Sequence, residues 1–450
     1  MTEEQQVIEI PDRGHRYIAR DEELGAVVEV LSTSPVLGID TESDSLFSYR
    51  ESCCLVQITG VTGPDFIIDP LSVSDLSPLG PLMENPDVVK IFHGADFDIV
   101  SMKRDFGFRF CNIFDTMIAA QATGHERFGL FDLVSRYFGV TLNKKYQRHD
   151  WSSRPLKSEH LDYARLDSHY LPTLMGLLAD QAAERGRTDM LTEEFGLLEG
   201  REWTGRPYHP NDCIRIKGAS KLEPDQLRVL RAVCDLRNSI AADRDRPSFK
   251  VWGNDACIKL AQRAPKDRAA LREALGDNHH IVRRYSRDVV AAVNRGTEDN
   301  SPPPTSAHKN REKKSSKVPP FTREHEGLLT HLRKWRNRAA DEAGLGPGMV
   351  VNNNLLKTAA ALQPKQLEQL ELIPDIRRWQ IKEWGPTLLE QIAEYQRKAK
   401  QKAAEKAASQ GAEKESKSRR RRRRRRSKDK GPGTDSDEST DSKRSEHETS

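Results

Sequence analysis

The sequence predicts an α/β domain with a mixed sheet, followed by two small all-α domains and a disordered basic tail. Residues 36–193 alternate between short strand-like runs and helical patterns, whereas residues 223–295 and 322–396 show helical patterns only. An unbroken run of eight arginines, Arg419 to Arg426, marks the tail. Early strands with helices interleaved later are typical of a mixed sheet covered by helices.

The composition indicates packed domains joined to unfolded sequence. The 450 residues are 36% hydrophobic and 31% charged, which is less apolar and more charged than an average globular protein. We find no apolar run long enough to span a membrane and no apolar block near the N-terminus that would predict a secretory signal. The six cysteines form no CxxC pair, so neither a disulfide framework nor a zinc site is expected, and a cytoplasmic setting is favoured.

The N-terminal domain is expected to span residues 1–200. Four short runs have the apolar or alternating pattern of strands, at residues 36–39, 53–59, 66–68 and 88–92. Helical periodicity is found at about 97–105, 115–123, 129–138 and 158–182. Residues 201–220 are rich in turn formers, and we interpret them as a linker.

Two helical domains with a polar, proline-containing linker between them are expected next, with boundaries at 221–297, 298–321 and 322–397. Arg237 and Pro247 in the first domain are matched by Arg336 and Pro347 in the second, and an apolar stretch follows in both. This similar order of features indicates a weak internal repeat.

The tail, residues 398–450, carries nearly all of the excess positive charge. The formal net charge is +4, yet residues 398–430 alone hold 16 Lys or Arg against 4 Asp or Glu. The Ala/Lys/Glu/Gln-rich sequence beyond Tyr395 predicts a fraying helix. The arginine block repels itself and has nothing to bury, so we predict disorder there. Arginine pairs well with phosphate, which favours non-specific contact with nucleic acid. A solvated tail without a dedicated partner is the alternative.

Two carboxylates follow the first predicted strand. Asp40 and Glu42 are two residues apart, so on a strand both side chains point to the same face. Adjacent carboxylates repel one another and are costly to bury unless a cation neutralises them. Divalent cations that prefer oxygen ligands, such as Mg²⁺, supply that charge. The alternative is an ordinary polar strand end.

Two further acidic positions lie next to predicted element ends. Asp98 follows the strand at 88–92 and a turn; Asp96 is the alternative there, and we interpret it as a cap or turn residue. Tyr163 and Asp167 are four residues apart in a helical pattern and therefore share a helix face. A phenol one turn from a carboxylate could hold a water beside a metal, or Tyr163 could pack in the core with Asp167 exposed.

Together these segments resemble the DEDD superfamily of exonucleases, tyrosine subclass, whose three motifs are matched by Ile39–Glu42, His93–Asp98 and Tyr163–Asp167. Residues 146–156 are similar to the segment before the third motif in ribonuclease D and its eukaryotic nuclear-exosome relatives. The two helical domains resemble HRDC domains. The resemblance implies a ribonuclease H-like exonuclease domain with a mixed sheet, followed by two HRDC domains.

The resemblance also implies an activity: metal-dependent hydrolysis of RNA from the 3′ end to 5′-mononucleotides, with tRNA precursors and other structured RNA 3′ ends as substrates and a monomer as the active form. Two divalent ions, Mg²⁺ or Mn²⁺, would be held by Asp40, Glu42, Asp98 and Asp167, and Tyr163 would orient the attacking water.

Four further residues are candidates for substrate binding. Thr41 could contact the terminal ribose. His93 could contact substrate or support the backbone after the fourth strand. Trp151 and Arg154 could bind RNA, although a buried tryptophan and an ion-paired arginine are equally compatible with the sequence. The first helical domain has Leu236-Arg237 where the second has Trp335-Arg336, a departure that bears on its RNA-binding role.

Three other functions stay open at this point. A DNA 3′–5′ exonuclease of the same superfamily would share the metal chemistry. A binding protein with an inactive nuclease fold would have lost part of the acidic set, although all four carboxylates and the tyrosine are present. A non-catalytic RNA-binding scaffold dominated by its tail would not require the pattern of residues 36–182.

Overall fold

The computed structural model describes residues 7–205, 208–305 and 318–428. The N-terminal domain contains a six-stranded sheet in the order β1-β4-β3-β2-β5-β6. Its strands are β1 His15–Ile18, β2 Val36–Ser43, β3 Cys53–Thr59, β4 Asp65–Ile68, β5 Val89–Phe92 and β6 Ile113–Asp115. β3 is antiparallel to β2 and β4, and the other pairs are parallel. The predicted mixed sheet is therefore confirmed, and the prediction missed only the short strands β1 and β6, at the two edges.

The helices of this domain are α1 Asp21–Leu31, α2 Gly80–Glu84, α3 Asp96–Phe106, α4 Thr116–Ala122, α5 Leu130–Phe138, α6 Ser158–His169, α7 Leu171–Glu184 and α8 Thr188–Glu199, with a 3₁₀ turn at Ser77–Leu79. The single helix predicted at 158–182 is two helices, because Pro172 lies in the first turn of α7, where proline is favoured. All seven residues of β3 are buried, which places this strand in the centre of the core.

The first helical module contains short 3₁₀ helices at Pro210–Arg215 and Ala219–Lys221, and then α9 Pro224–Asp243, α10 Ser248–Val251, α11 Asn254–Arg263, α12 Arg268–Leu275, α13 His280–Arg284 and α14 Ser286–Glu298. It has a hydrophobic core of its own. Cys213, Ile216 and Ala219 pack into that core, so the second half of the segment predicted as a linker, residues 201–220, is part of the module. Its turn formers build 3₁₀ helices that the periodicity did not reveal.

The second helical module contains a 3₁₀ turn at Arg323–His325, α15 Glu326–Ala343, α16 Pro347–Val350, α17 Asn353–Leu362, a 3₁₀ helix at Leu367–Leu372, and the start of α18 Arg378–Lys428. Its buried side chains, such as Leu332 and Trp335, belong to the same continuous core as the N-terminal domain. This module therefore shares its core with the N-terminal domain, whereas the first module has a separate core, against which Tyr49 of the N-terminal domain packs.

The two modules repeat the same local structure. Arg237 donates to Asn254 Oδ1 at 2.9 Å and to the carbonyl of Trp252 at 3.2 Å. Arg336 makes the equivalent bonds, to Asn353 Oδ1 at 2.9 Å and the carbonyl of Val351 at 3.4 Å. Each pair of equivalent residues is 99 positions apart. The weak repeat seen in the sequence is thus a structural repeat, and Arg237 keeps its role although a leucine precedes it.

Helix α18 leaves the second module and continues through the arginine run to Lys428. The sequence predicted a fraying helix beyond Tyr395, followed by a disordered basic tail. The helical backbone agrees with the first part of this prediction, and residues 429–450 lie outside the described residues. Alanine, lysine, glutamate and arginine all have high helix propensity, which accounts for the helical backbone. Among the described helices, none combines the length and apolar character that a membrane span requires.

Candidate active site

The site is built on β2, one of the two central strands of the sheet. β5 pairs with β2 only from Val36 to Gly38, so the following residues of β2 extend beyond the end of β5. Asp40 and Glu42 lie in this extension and pair with Gln57 and Leu55 of β3. They are thus within the strand rather than at its end, and their side chains share one face of the sheet.

Helix α6 packs across this face at very short range. A Cβ atom added to Gly38 would lie 2.7 Å from the carbonyl oxygen of Ser168, so only glycine allows the end of α6 to approach β2 so closely. This contact brings Asp167 to the two carboxylates of β2. Asp40, Glu42 and Asp167 each offer one carboxylate oxygen, and these atoms lie within 4.8 Å of one another.

Asp98 joins the group from the first turn of α3. It is 8% exposed, and the Thr41 hydroxyl donates to Asp98 Oδ1 at 2.5 Å. Thr41 stands between Asp40 and Glu42, so this bond ties α3 to the acidic part of β2. Asp96 points elsewhere and pairs with Arg201 at 2.8 Å on the surface. Of the two aspartates considered from the sequence, the structure therefore brings Asp98 to the cluster.

The four carboxylates repel one another in a buried site. Among the residues that the structure describes, none of them forms an ion pair with Lys, Arg or His. Burial raises the pKa of Asp40 and of Glu42, and the neighbouring carboxylates raise both further. Burial likewise raises the pKa of Asp98 to about 6 and that of Asp167 to about 7. Oxygen ligands that repel one another in this way fit hard divalent cations such as Mg²⁺ and Mn²⁺.

Tyr163 lies one turn before Asp167 on α6. Its ring stacks on Trp151, with centroids 6.0 Å apart, and meets the edge of Tyr146 at 5.7 Å. Burial raises the pKa of the Tyr163 phenol, and Asp167, Glu42 and Asp40 raise it further. The hydroxyl group therefore stays protonated at neutral pH and is available to hold a water molecule beside the carboxylates.

A cavity of about 260 Å³ opens beside Tyr163 and Asp167. This volume is near the lower end of small-ligand pockets, which are roughly 300–1,000 Å³. Its wall combines apolar, aromatic and charged side chains: Leu142, Asn143, Lys145, Tyr146, Glu159, Asp162, Tyr163, Leu166 and Asp167.

The candidate substrate-binding residues occupy structural positions. His93 Nδ1 lies 2.9 Å from the Thr116 hydroxyl, and burial lowers the pKa of His93 to about 4, so the ring is neutral. Trp151 is 1% exposed behind Tyr163. Arg154 makes two bonds to the buried Asp69, at 2.6 and 2.7 Å. Direct contact of His93, Trp151, Arg154 or Thr41 with a substrate stays a prediction.

Sequence reasoning did not identify the residues that hold α6 in place. Asp65 is fully buried and accepts from Thr59 at 2.8 Å, lies 2.8 Å from His169 Nδ1 and contacts Arg165 at 3.4 Å. Ser168 also lies 2.9 Å from the Thr59 hydroxyl. These contacts fix the end of the helix that carries Asp167. A glycine inside an apolar strand run could have indicated the close contact at Gly38, but no local signal marks Asp65.

Comparison with known families agrees with this architecture. Residues 15–182 match the model of a 3′–5′ exonuclease domain, and residues 226–293 and 325–392 each match the model of the HRDC domain. The two HRDC matches are offset by the same 99 positions as the structural repeat.

Relatives and solved structures extend the comparison. The chain is 27% identical to ribonuclease D of Desulfotalea psychrophila over 341 residues, which cover 76% of this chain and 89% of that protein. It is 28% identical to the exosome complex component 10 homolog of Caenorhabditis elegans over 276 residues, covering 60% of this chain but only 31% of that protein. The solved catalytic core of RRP6 from Trypanosoma brucei superposes with a TM-score of 0.60 at 27% identity, over 67% of this chain and 84% of that one.

Proposed function

From the premise that this chain is a ribonuclease D-like exonuclease, with residues 15–182 belonging to the 3′–5′ exonuclease family and two HRDC domains after them, we propose that it is a metal-dependent 3′–5′ exoribonuclease. It removes nucleotides from RNA 3′ ends and releases 5′-mononucleotides. The chain covers less than a third of the first curated relative's length, so the proposal rests on the site and not on that protein as a whole.

The observation that carries the proposal is the convergence of four carboxylates next to the protonated phenol of Tyr163. Among the described residues, no cationic side chain pairs with these carboxylates. Asp40, Glu42, Asp98 and Asp167 would hold the divalent cations, and two ions rather than one is our specific expectation. When bound, such ions activate a water and stabilise the charge that develops on the leaving 3′ oxygen.

Other side chains of the protein hold the metal ligands and the attacking water in position. The Thr41 hydroxyl fixes one oxygen of Asp98, which leaves the other oxygen of that carboxylate for a ligand. Tyr163 Oη, protonated at neutral pH, holds the attacking water by a hydrogen bond. Trp151 and Tyr146 limit the movement of the Tyr163 ring. The cavity beside Tyr163 and Asp167 receives the terminal nucleotide.

The test is hydrolysis of a 5′-labelled RNA with an unstructured 3′ end, in Mg²⁺ or Mn²⁺ and then in EDTA. We expect stepwise shortening from the 3′ end, mononucleotide products and complete inhibition by EDTA. A matched DNA of the same sequence is the control for substrate class, and faster hydrolysis of DNA would replace the proposal by a DNA exonuclease. Metal-independent hydrolysis, or none with either substrate, would refute it.

Further parts of the proposal concern the biological setting. We propose that the substrates are tRNA precursors and other structured RNAs with 3′ extensions, and that the protein acts as a monomer in the cytoplasm. All six cysteines are free thiols, which supports a reducing compartment. Matching assays on a tRNA with a 3′ extension and on its mature form would test the substrate, since only the extension should be removed.

The proposed role of residues 398–450 is non-specific contact with RNA phosphates. Removal of this segment should weaken RNA binding and reduce the dependence of log K on log salt, because fewer counterions are released. Equal salt dependence with and without the segment would argue against this role.

A further inference from the structure

Each helical module has one face formed by the loop after its first long helix and by the start of its last helical segment. We call it the corner face; it comprises residues 244–251 and 279–287 in the first module, and 343–350 and 378–386 in the second. In the first module His280 Nε2 lies 2.7 Å from the Val251 carbonyl. In the second, Gln380 Nε2 donates to the Met349 carbonyl at 3.2 Å. Both parts of the face are therefore in contact in each module.

The corner face of the second module is covered by acidic groups of α8. Glu193 accepts from the backbone N–H groups of Arg378 at 2.8 Å and Trp379 at 2.9 Å. Lys382 pairs with Asp189 at 2.9 Å. In this module, then, the face binds carboxylates of the N-terminal domain.

The corner face of the first module is more basic, and within the described residues no carboxylate pairs with its exposed arginines. Arg246, Arg283, Arg284 and Arg287 are all exposed. Within residues 7–205, 208–305 and 318–428, no ion pair joins any of these four arginines to a carboxylate. Phe249, on the same face, is 52% exposed, and the residue at its position in the second module is Gly348. Exposed arginines around an aromatic ring are typical of surfaces that bind single-stranded nucleic acid.

One loop connects this face with the strand that carries Asp40 and Glu42. The loop of residues 44–52 leaves β2 two residues after Glu42, and its Tyr49 N–H donates to Asp245 at 3.0 Å. The Tyr49 hydroxyl donates to Asn238 at 2.9 Å, and Lys250 Nζ lies 3.4 Å from the centre of the Phe47 ring. A strand that leaves the carboxylate site over this loop reaches the corner face next.

We propose that the corner face of the first module binds the single-stranded segment of RNA immediately upstream of the 3′ end, with its arginines on phosphates and Phe249 against a base. The same face thus binds carboxylates of the N-terminal domain in the second module and phosphates of the RNA substrate in the first. This inference rests on the proposed exoribonuclease function, because it names the path by which the substrate reaches that site.

The test compares two triple variants of the full chain. The first is Arg283→Glu/Arg284→Glu/Arg287→Glu. The matched control, Lys266→Glu/Arg268→Glu/Arg295→Glu, makes the same charge change on exposed residues of the same module. The control residues lie near the N-terminal end of α9, since Gln226 contacts Gln262 there and a Cβ on Gly296 would meet Val229. α9 has 20 residues and is about 30 Å long, which separates the two sets.

Binding of an unstructured labelled RNA is measured in EDTA, so the result does not depend on catalysis. We expect the first variant to weaken binding about tenfold or more at low salt, and to reduce the slope of log K against log salt by about 2, at roughly 0.7 per phosphate contact on a single strand. The control should bind as the wild type does. Unchanged binding by the first variant, or an equal loss in the control, would overturn the proposal.

A catalytic readout separates this inference from the proposed function. The ratio of kcat/KM for a long RNA to that for a dinucleotide should fall about tenfold in the first variant and stay constant in the control. If the wild type hydrolyses neither RNA, the proposed function fails while the binding result still decides the role of the face. If the glutamate variant does not fold, the set Arg283→Gln/Arg284→Gln/Arg287→Gln is measured instead, with half of the charge change, and an unchanged affinity contradicts the proposal equally.

Discussion

Two groups of carboxylates lie within the N-terminal domain, and the fold treats them in opposite ways. Asp65 and Asp69, at the two ends of β4, are buried and bonded to other side chains: Arg165 and the His169 ring for Asp65, and Arg154 for Asp69. The cluster combines Asp40 and Glu42 of the same sheet with Asp98 of α3 and Asp167 of α6. No cationic side chain of the described residues pairs with it.

In the first group, other side chains of the protein balance the negative charge of the buried carboxylates. In the cluster, the negative charge is left unbalanced. Although burial raises the pKa of Asp69, bonds from Arg154, Tyr17 and Ser72 lower it below the ordinary value. For the cluster, burial and mutual repulsion both raise the pKa values. The ionised carboxylate of Asp69 therefore stabilises the fold, and ionised carboxylates in the cluster destabilise it until cations are supplied from outside.

The largest effect is expected from substitutions in the cluster. Asp40→Asn or Asp98→Asn should lower kcat at least about 1,000-fold, or about 4 kcal/mol in the barrier, because each removes a ligand for the cations. The free energy of unfolding in EDTA should stay the same or increase, since a repelling charge is lost. Single-turnover RNA hydrolysis and urea denaturation measure the two quantities.

Asp96→Asn is the matched control for these variants. Asp96 is exposed, pairs with Arg201 and lies two residues before Asp98, so its loss should leave the rate unchanged. An active Asp40→Asn enzyme, or an inactive Asp96→Asn enzyme, would contradict the assignment of the cluster.

At the ion pair of Arg154 and Asp69, a substitution is expected to lower stability. Arg154→Ala leaves the buried charge of Asp69 without its partner and should lower the free energy of unfolding by about 3–5 kcal/mol. Arg109→Ala removes an exposed ion pair with Glu84 and should cost less than about 1 kcal/mol. Urea denaturation compares both with the wild type. A stable Arg154→Ala variant with weakened RNA binding would instead support the role in substrate binding that the sequence suggested.

This contrast also shows what the sequence could predict. The motifs around Asp40, Asp98 and Asp167 identified the acidic residues, and the repulsion argument predicted that they need metal. The partner of Arg154 could not be read from the sequence, because Asp69 is 85 positions away and its distance depends on how β4 and residues 146–156 pack. The sequence therefore left open whether Arg154 binds RNA or forms an ion pair, and the structure supplies the ion pair with Asp69.

The helical regions show the same limit. The order of features in the two modules predicted their repeat, since Arg237 and Arg336 are local landmarks. Nothing local distinguishes a module that shares its core with the N-terminal domain from one that has its own, because that depends on α8, which is distant in sequence. The tail could be predicted from composition and charge, as a fraying helix followed by disorder, because neither property depends on distant residues.

The pH dependence of stability sharpens the contrast between the two groups. The pKa of Asp98 is raised to about 6 and that of Asp167 to about 7, from an unfolded value of about 3.9. At these two groups the folded protein therefore binds more protons than the unfolded chain between these values, and without metal their contribution to stability should fall by about 2–4 kcal/mol as the pH rises from about 5 to about 8.

Urea denaturation in EDTA across this range measures the effect. Asp167→Asn is the control, since it removes one of the titrating groups and should flatten the curve, and saturating Mn²⁺ should reduce the dependence in the wild type. His93 has the opposite effect: burial lowers its pKa to about 4, so between about pH 5 and 6.5 only the unfolded chain binds its proton, and stability gains about 2 kcal/mol as the pH rises. The difference between the wild type and Asp167→Asn cancels this shared contribution. If that difference does not change with pH, the cluster is neutralised by some group of the chain, as Asp69 is.

The smallest effect is expected at Tyr163, which contributes a hydrogen bond but no charge. Tyr163→Phe keeps the stacking on Trp151 and should change the free energy of unfolding by less than about 1 kcal/mol. Because the hydroxyl that holds the attacking water is lost, kcat should fall about 10- to 100-fold, while the affinity for Mn²⁺ in calorimetry stays the same. Tyr170→Phe, the same deletion just beyond the end of α6, should keep the wild-type rate. If Tyr163→Phe also keeps that rate, Tyr163 serves packing alone, and the carboxylates with their cations account for the chemistry.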